Sequence, residues 1–120
     1  VMDVVARPKP HVVAGRVLRH QFNFAAREFE MVFTPDPEKG ESAIYIPQDR
    51  HYPDGFRIVY SRGLTLSWKP GTGAALRVIE NKGGLDASAW SWQPARQILT
   101  VRRWDAGAGE ATLQIVPGSD

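Results

Sequence analysis

A chain of 120 residues encloses one core and falls far short of the roughly 250 residues that a (β/α)8 barrel enzyme needs. Apolar residues make up 42% and charged residues 23%, which is enough apolar content to fold rather than remain disordered. The net charge is only +2 and no basic block is dense, so nucleic acid is not an expected partner; with no cysteine there is neither a disulfide framework nor a zinc ribbon.

Arg7-Pro8-Lys9-Pro10 opens the chain with two prolines, and residues 1–17 read as a lead segment from an upstream domain, partly packed. From Leu18 to Thr34 the residues alternate: Leu18, His20, Phe22 and Phe24 share one face, and Phe29, Met31 and Phe33 share another. Two antiparallel strands joined through Ala25-Ala26-Arg27-Glu28 fit this pattern. Two prolines and a glycine in residues 35–40 then interrupt pairing, Ser42 to Ile46 resumes it, and Pro47 to Gly55 is a second turn-rich stretch. Further strands are expected at Phe56 to Tyr60, Leu64 to Trp68, Ala75 to Glu80, Ile98 to Arg102 and Ala111 to Val116. The best helical candidate, Leu85 to Trp92, is short and followed by Pro94, so it reads as a turn or loop excursion.

The expected fold is all-β, a two-sheet antiparallel sandwich of about seven to nine short strands, immunoglobulin-like or like a carbohydrate-binding module, over residues 18–117 with a tail at 118–120. Eleven glycines and nine prolines punctuate such a fold. No apolar run reaches the roughly 18 residues of a membrane span and no basic n-region precedes an apolar stretch, so the chain reads as soluble with its compartment open. Its first residue, Val1, suggests a piece of a longer protein.

Catalytic constellations mostly fail. No serine sits in a Gly-x-Ser-x-Gly elbow. His11, His20 and His51 lack the spacing of a His-based metal motif. The run Asp36-x-Glu38-x-Gly40 approaches a calcium loop, but its glycine is one position early and Pro47 replaces the closing glutamate, leaving a solvated acidic turn. Glu28 and Glu30 alternate as surface charges on the solvent side of a strand whose Phe29 and Met31 point inward. Gly71-Thr72-Gly73 is an incomplete nucleotide fingerprint and reads as a hairpin loop. No catalytic residue, metal or cofactor is therefore assigned.

The aromatic residues carry the remaining chemical signal. Trp68, Trp90, Trp92 and Trp104 are candidates for a platform on which the C–H faces of sugar rings stack, and Trp90 and Trp92 would share one face of a strand. Filling the core of a small sandwich is the alternative, and the preferred one. Pro47 ends a strand, and Tyr52-Pro53-Asp54-Gly55 reads as a turn that fixes a corner before Phe56 re-enters the core.

Several stretches together resemble the C-terminal β-sandwich domain of endoglycoceramidase-like glycoside hydrolases of family five. They are Arg7-Pro8-Lys9-Pro10 through Val13-Ala14-Gly15, Phe22-Asn23-Phe24 through Phe33, and Ser42-Ala43-Ile44-Tyr45-Ile46-Pro47 followed by Arg50-His51-Tyr52-Pro53-Asp54-Gly55-Phe56. Gln97 to Val101 with Gly109 to Ile115 resembles the closing hairpin. Lys9 stands where that lead carries an aromatic. The resemblance implies that the catalytic glutamates sit on an upstream (β/α)8 barrel and that this chain alone is not an enzyme. It also implies that the sandwich packs on that barrel as an accessory module, in a parent acting on glycolipids. Glycolipid or glycan is the further partner expected. Pro47, His51, Tyr52, Pro53 and Gly55 are then structural, while Trp68, Trp90 and Trp92 are the candidate carbohydrate contacts.

Overall fold

The computed structural model describes residues 8–71, 73, 75–105, 107 and 109–118. Ten strands form two antiparallel sheets: β1 (Lys9–Val12), β2 (Gly15–Asn23), β3 (Glu28–Pro35), β4 (Ser42–Tyr45), β5 (Phe56–Tyr60), β6 (Leu64–Trp68), β7 (Arg77–Asn81), β8 (Trp90–Gln93), β9 (Ile98–Val101) and β10 (Ala111–Pro117). One sheet has the order β1-β4-β9-β8 and the other β2-β3-β10-β5-β6-β7. Among the described residues, one helical turn, α1 (Gln48–His51), and two 3-10 turns lie between strands.

The period-2 alternation builds the core directly. In the larger sheet Phe29 pairs with Ile115, Ile115 with Ile58 and Ile58 with Leu66. The next inward row runs Met31, Leu113, Tyr60, Leu64. In the smaller sheet Ile44 pairs with Leu99 and Leu99 with Trp92. All of these side chains are buried, so the two inner faces meet as a sandwich. The strands have charged or polar residues in between, such as Glu30, Arg57 and Gln114, on the outer faces.

Two strands exceed the sequence expectation, and each has a physical reason. β1 lies within the residues expected as a lead: Lys9 and Pro10 pair with Tyr45 and Ile44, and Pro10 is tolerated because β1 is an edge strand. β8 takes the last three residues of the stretch read as a loop excursion and adds Gln93. Asp86 caps the 3-10 turn Ala87–Ala89, its carboxylate accepting from the Ser88 N–H, and the chain then extends so that Trp90 pairs with Val101. Only four residues alternate there, and the signal drowns in the flanking alanine and serine. β2 also departs from strict alternation. A bulge between Val17 and Arg19 breaks the shared face expected of Leu18, His20 and Phe22. The strand stops at Asn23, whose side-chain oxygen accepts from the Ala25 and Ala26 N–H groups. Phe24 therefore belongs to the hairpin loop. Residues 1–7 of the expected lead and residues 119–120 of the expected tail lie outside the described residues, as does Thr72 of the Gly-x-Gly loop.

Candidate functional site

The tryptophans point inward. Trp68, Trp90, Trp92 and Trp104 are 6%, 7%, 1% and 3% exposed. Trp90 and Trp92 do share a face of β8, with Ser91 between them exposed, but it is the face packed on the other sheet. Trp92 sits edge-on to Phe56 at 4.9 Å and 5.8 Å from Trp68. Trp90 lies 5.4 Å from Tyr60 and 5.5 Å from Trp104. A sugar ring has no indole face to stack on, and the exposed platform of Trp68, Trp90 and Trp92 is corrected to an aromatic core. Its reason is area: an aromatic side chain removes some 150–250 Å2 from water when buried, and a small sandwich needs that area. The Trp68 Nε1–H donates to the Gly73 carbonyl at 2.7 Å. The Trp92 and Trp104 indole N–H groups are buried without a hydrogen-bond partner among the described residues.

One polar network crosses the rim of this core. The Tyr60 hydroxyl donates to Asp105 Oδ1 at 2.8 Å, and Arg62 Nη1 donates to Asp105 Oδ2 at 2.8 Å. The Gly107 N–H adds a third bond to Oδ2, while Arg62 Nη2 donates to the Gly109 carbonyl at 2.7 Å. Burial works against the charged form of Asp105, yet the bonds from Arg62 and Tyr60 and the guanidinium charge outweigh it and hold the carboxyl below the usual range. Burial, then the bond to Asp105, pushes the Tyr60 phenol up. Both groups are thereby locked in one protonation state through neutral pH. The adjoining cavity of about 180 Å3 is bounded by Tyr60, Asp86, Trp90, Arg102 and Trp104 among others. Its best-placed carboxylate, Asp105, is fully engaged in clamping the loop after β9 to the β5–β6 turn, so the arrangement is suited to fastening rather than to proton transfer.

The corner motif is built around Tyr52. Pro47 follows β4, and α1 turns the chain so that the Tyr52 N–H donates to the Gln48 carbonyl at 2.8 Å. Tyr52 is 1% exposed, and its hydroxyl donates to the Arg27 carbonyl at 2.9 Å, tying the corner to the tip of the β2–β3 hairpin. Burial, reinforced by the Glu28 charge, pushes this phenol up as well. Pro53 is exposed in the turn closed by the Gly55 N–H donating to Tyr52 O at 3.0 Å. Gly55 has φ 113°, and a Cβ there would run into the Trp68 carbonyl oxygen, so only glycine fits. His51 packs on Phe22 at 4.8 Å and on Phe24 at 5.9 Å.

That last contact belongs to a surface aromatic cluster. Phe22 and Phe24 meet edge-to-face at 4.8 Å, and Phe24 is 46% exposed. The sequence contains each ring but not their meeting, because His51 arrives from a different element. The remaining candidates stay apart. His11 stacks on Tyr45 and His20 packs on Phe29, and no three metal-ligating side chains converge among the described residues. Asp36 caps a 3-10 turn by accepting from the Glu38 N–H. Glu30 accepts from Gln114 on the outer face of the sheet.

The molecule is thus an aromatic-cored, two-sheet antiparallel sandwich with one polar network at its rim. The family described as Glycoside hydrolase family 5 C-terminal domain matches residues 7–115, and the chain belongs to that family. It is 28% identical over 71 residues to an endoglycoceramidase of Cyanea nozakii, covering 58% of this chain and 14% of that protein. A solved structure of Cryptococcus neoformans sterylglucosidase 1 shares the fold, with a TM-score of 0.51 and 16% identity over 94% of this chain. The chain spans 14% of that relative too.

Proposed function

We propose that this chain is the non-catalytic accessory domain of a larger glycosidase that acts on glycolipids, of endoglycoceramidase or glucosylceramidase type. In this reading it packs on an upstream (β/α)8 barrel, stabilises it and shapes the approach of a lipid-borne substrate. The observation that carries this reading is the family match across residues 7–115, joined to the likeness to an endoglycoceramidase. Burial of all four tryptophans agrees with a scaffold and disfavours an autonomous carbohydrate-binding module.

Removing these 120 residues from the parent protein tests it. The barrel should then melt at lower temperature and lose kcat/KM on glycolipid micelles. An unchanged melting temperature and unchanged kinetics would sink the accessory reading. The isolated chain, titrated with glycans and glycolipid micelles while tryptophan fluorescence is followed, should give no saturable change.

A further inference from the structure

We infer that the corner formed by Phe22, Phe24 and His51 is the face on which this domain meets the catalytic part of its parent, with Phe24 as the apolar anchor. The inference rests on the accessory reading above and adds which surface does the docking.

Three features converge on one corner of the sandwich. The first is where the chain enters. Lys9 pairs with Tyr45, the last residue of β4, and α1 with His51 follows three residues later. The chain therefore enters β1 at the end of the sandwich that carries α1. The tip of the β2–β3 hairpin is held at the same end, since the Tyr52 hydroxyl donates to the Arg27 carbonyl. In the accessory reading, a body preceding this chain is therefore attached on the side of this corner, which holds it at high local concentration there.

The second feature is chemical. Phe24 exposes nearly half of its surface although it has two rings to pack on, and rigid exposed aromatic groups are the side chains that anchor protein interfaces. The third is shape: a shallow cleft of about 270 Å3, bounded by His51, Tyr52, Pro53, Asp54 and Pro117 among others, opens beside the rings. Val12 on β1 and Leu18 on β2 are also exposed, and the competing pair adjacent in sequence is on β7, where Val78 and Ile79 are 47% and 40% exposed. There it is flanked by Arg77 and Glu80 on an edge strand, charges of the kind that protect such edges from pairing.

The chain has no cysteine, so single thiols report on single surfaces. Ala26→Cys, beside Phe24 in the hairpin loop, and Ile79→Cys are made separately in the full parent protein and in the 120-residue chain, and maleimide labelling of each site is followed by peptide mass spectrometry. Docking through the corner makes the thiol at position 26 label at least about tenfold more slowly in the parent than in the chain alone, with position 79 labelling equally in both. Equal labelling of position 26 in both proteins overturns the inference, and so does protection of position 79 alone. Free labelling at position 26 in a parent whose melting temperature falls when the unaltered domain is removed refutes only the choice of corner. A parent whose melting temperature is unchanged by that removal refutes the accessory reading itself.

Discussion

Two aromatic clusters in this molecule share the same ring geometry and differ in everything else. Phe56 and Trp92 meet edge-to-face at 4.9 Å in the interior; Phe22 and Phe24 meet edge-to-face at 4.8 Å on the surface. Trp92 is 1% exposed and Phe24 is 46% exposed. Ring contact by itself therefore says nothing about whether an aromatic side chain stabilises the fold or waits for a partner. The difference comes from the backbone: Trp92 projects from a paired strand between two sheets, whereas Phe24 follows the last residue of β2, where no second sheet covers it. The interior cluster is a source of stability, and the surface cluster is area left over.

The sharpest way to break this contrast is to truncate one ring on each side. Trp92→Ala leaves a large hole lined by Phe56, Trp68 and Leu99, and is expected to destabilise the isolated chain by about 3–5 kcal/mol, read as a fall in the urea midpoint. That is a large share of the roughly 5–15 kcal/mol stability of an ordinary domain; a loss under about 1 kcal/mol would mean that the indole is not core. Next in size is Gly55→Ala, at the corner joining the two clusters. The left-handed backbone alone costs about 1–3 kcal/mol for a residue other than glycine, and the clash with the Trp68 carbonyl adds to it. An unchanged melting temperature would show that the corner relaxes freely.

The polar rim of the core sets the third expectation. Asp105 has a lowered pKa in the folded chain, so its contribution to stability is present above the unfolded carboxyl pKa and is lost as pH falls through the folded value. Asp105→Asn should flatten this acid limb of the stability curve and leave the neutral-to-alkaline side with a modest loss, as measured by urea titration from neutral to acid pH. Identical acid limbs would show that Asp105 is not clamped by Arg62 and Tyr60. Smallest is Phe24→Ser, which should change the stability of the isolated chain by no more than about 0.5 kcal/mol. A loss near that of Trp92→Ala would place Phe24 in the core and erase the contrast.

Much of the architecture was legible because it rests on alternation. Phe29, Met31 and Phe33 turn inward together, as do Phe56, Ile58 and Tyr60, since successive side chains on a strand point to opposite faces. β1 and β8 were not legible. Each is a four-residue edge strand, too short for a period, and each gains its structure from the neighbour it pairs with. The Gly55 corner was legible as a turn because glycine, proline and aspartate there each have a local conformational reason. The surface cluster was not, because Phe22 and His51 are 29 positions apart.

For the tryptophans, spacing settled less than it offered. Period two placed Trp90 and Trp92 on one face of one strand, and that much is a property of the backbone and needs no partner. Whether the face meets water or another sheet depends on what packs across from it, and only the assembled sandwich answered that. The sequence by itself determined an all-β chain of short strands, with a shared apolar face wherever the alternation is long enough to read, since strand periodicity and turn chemistry are local. Tertiary structure alone decided that the indoles fill the core while Phe22, Phe24 and His51 come together at the corner where the chain enters, because burial and side-chain convergence depend on contacts between residues far apart in the chain.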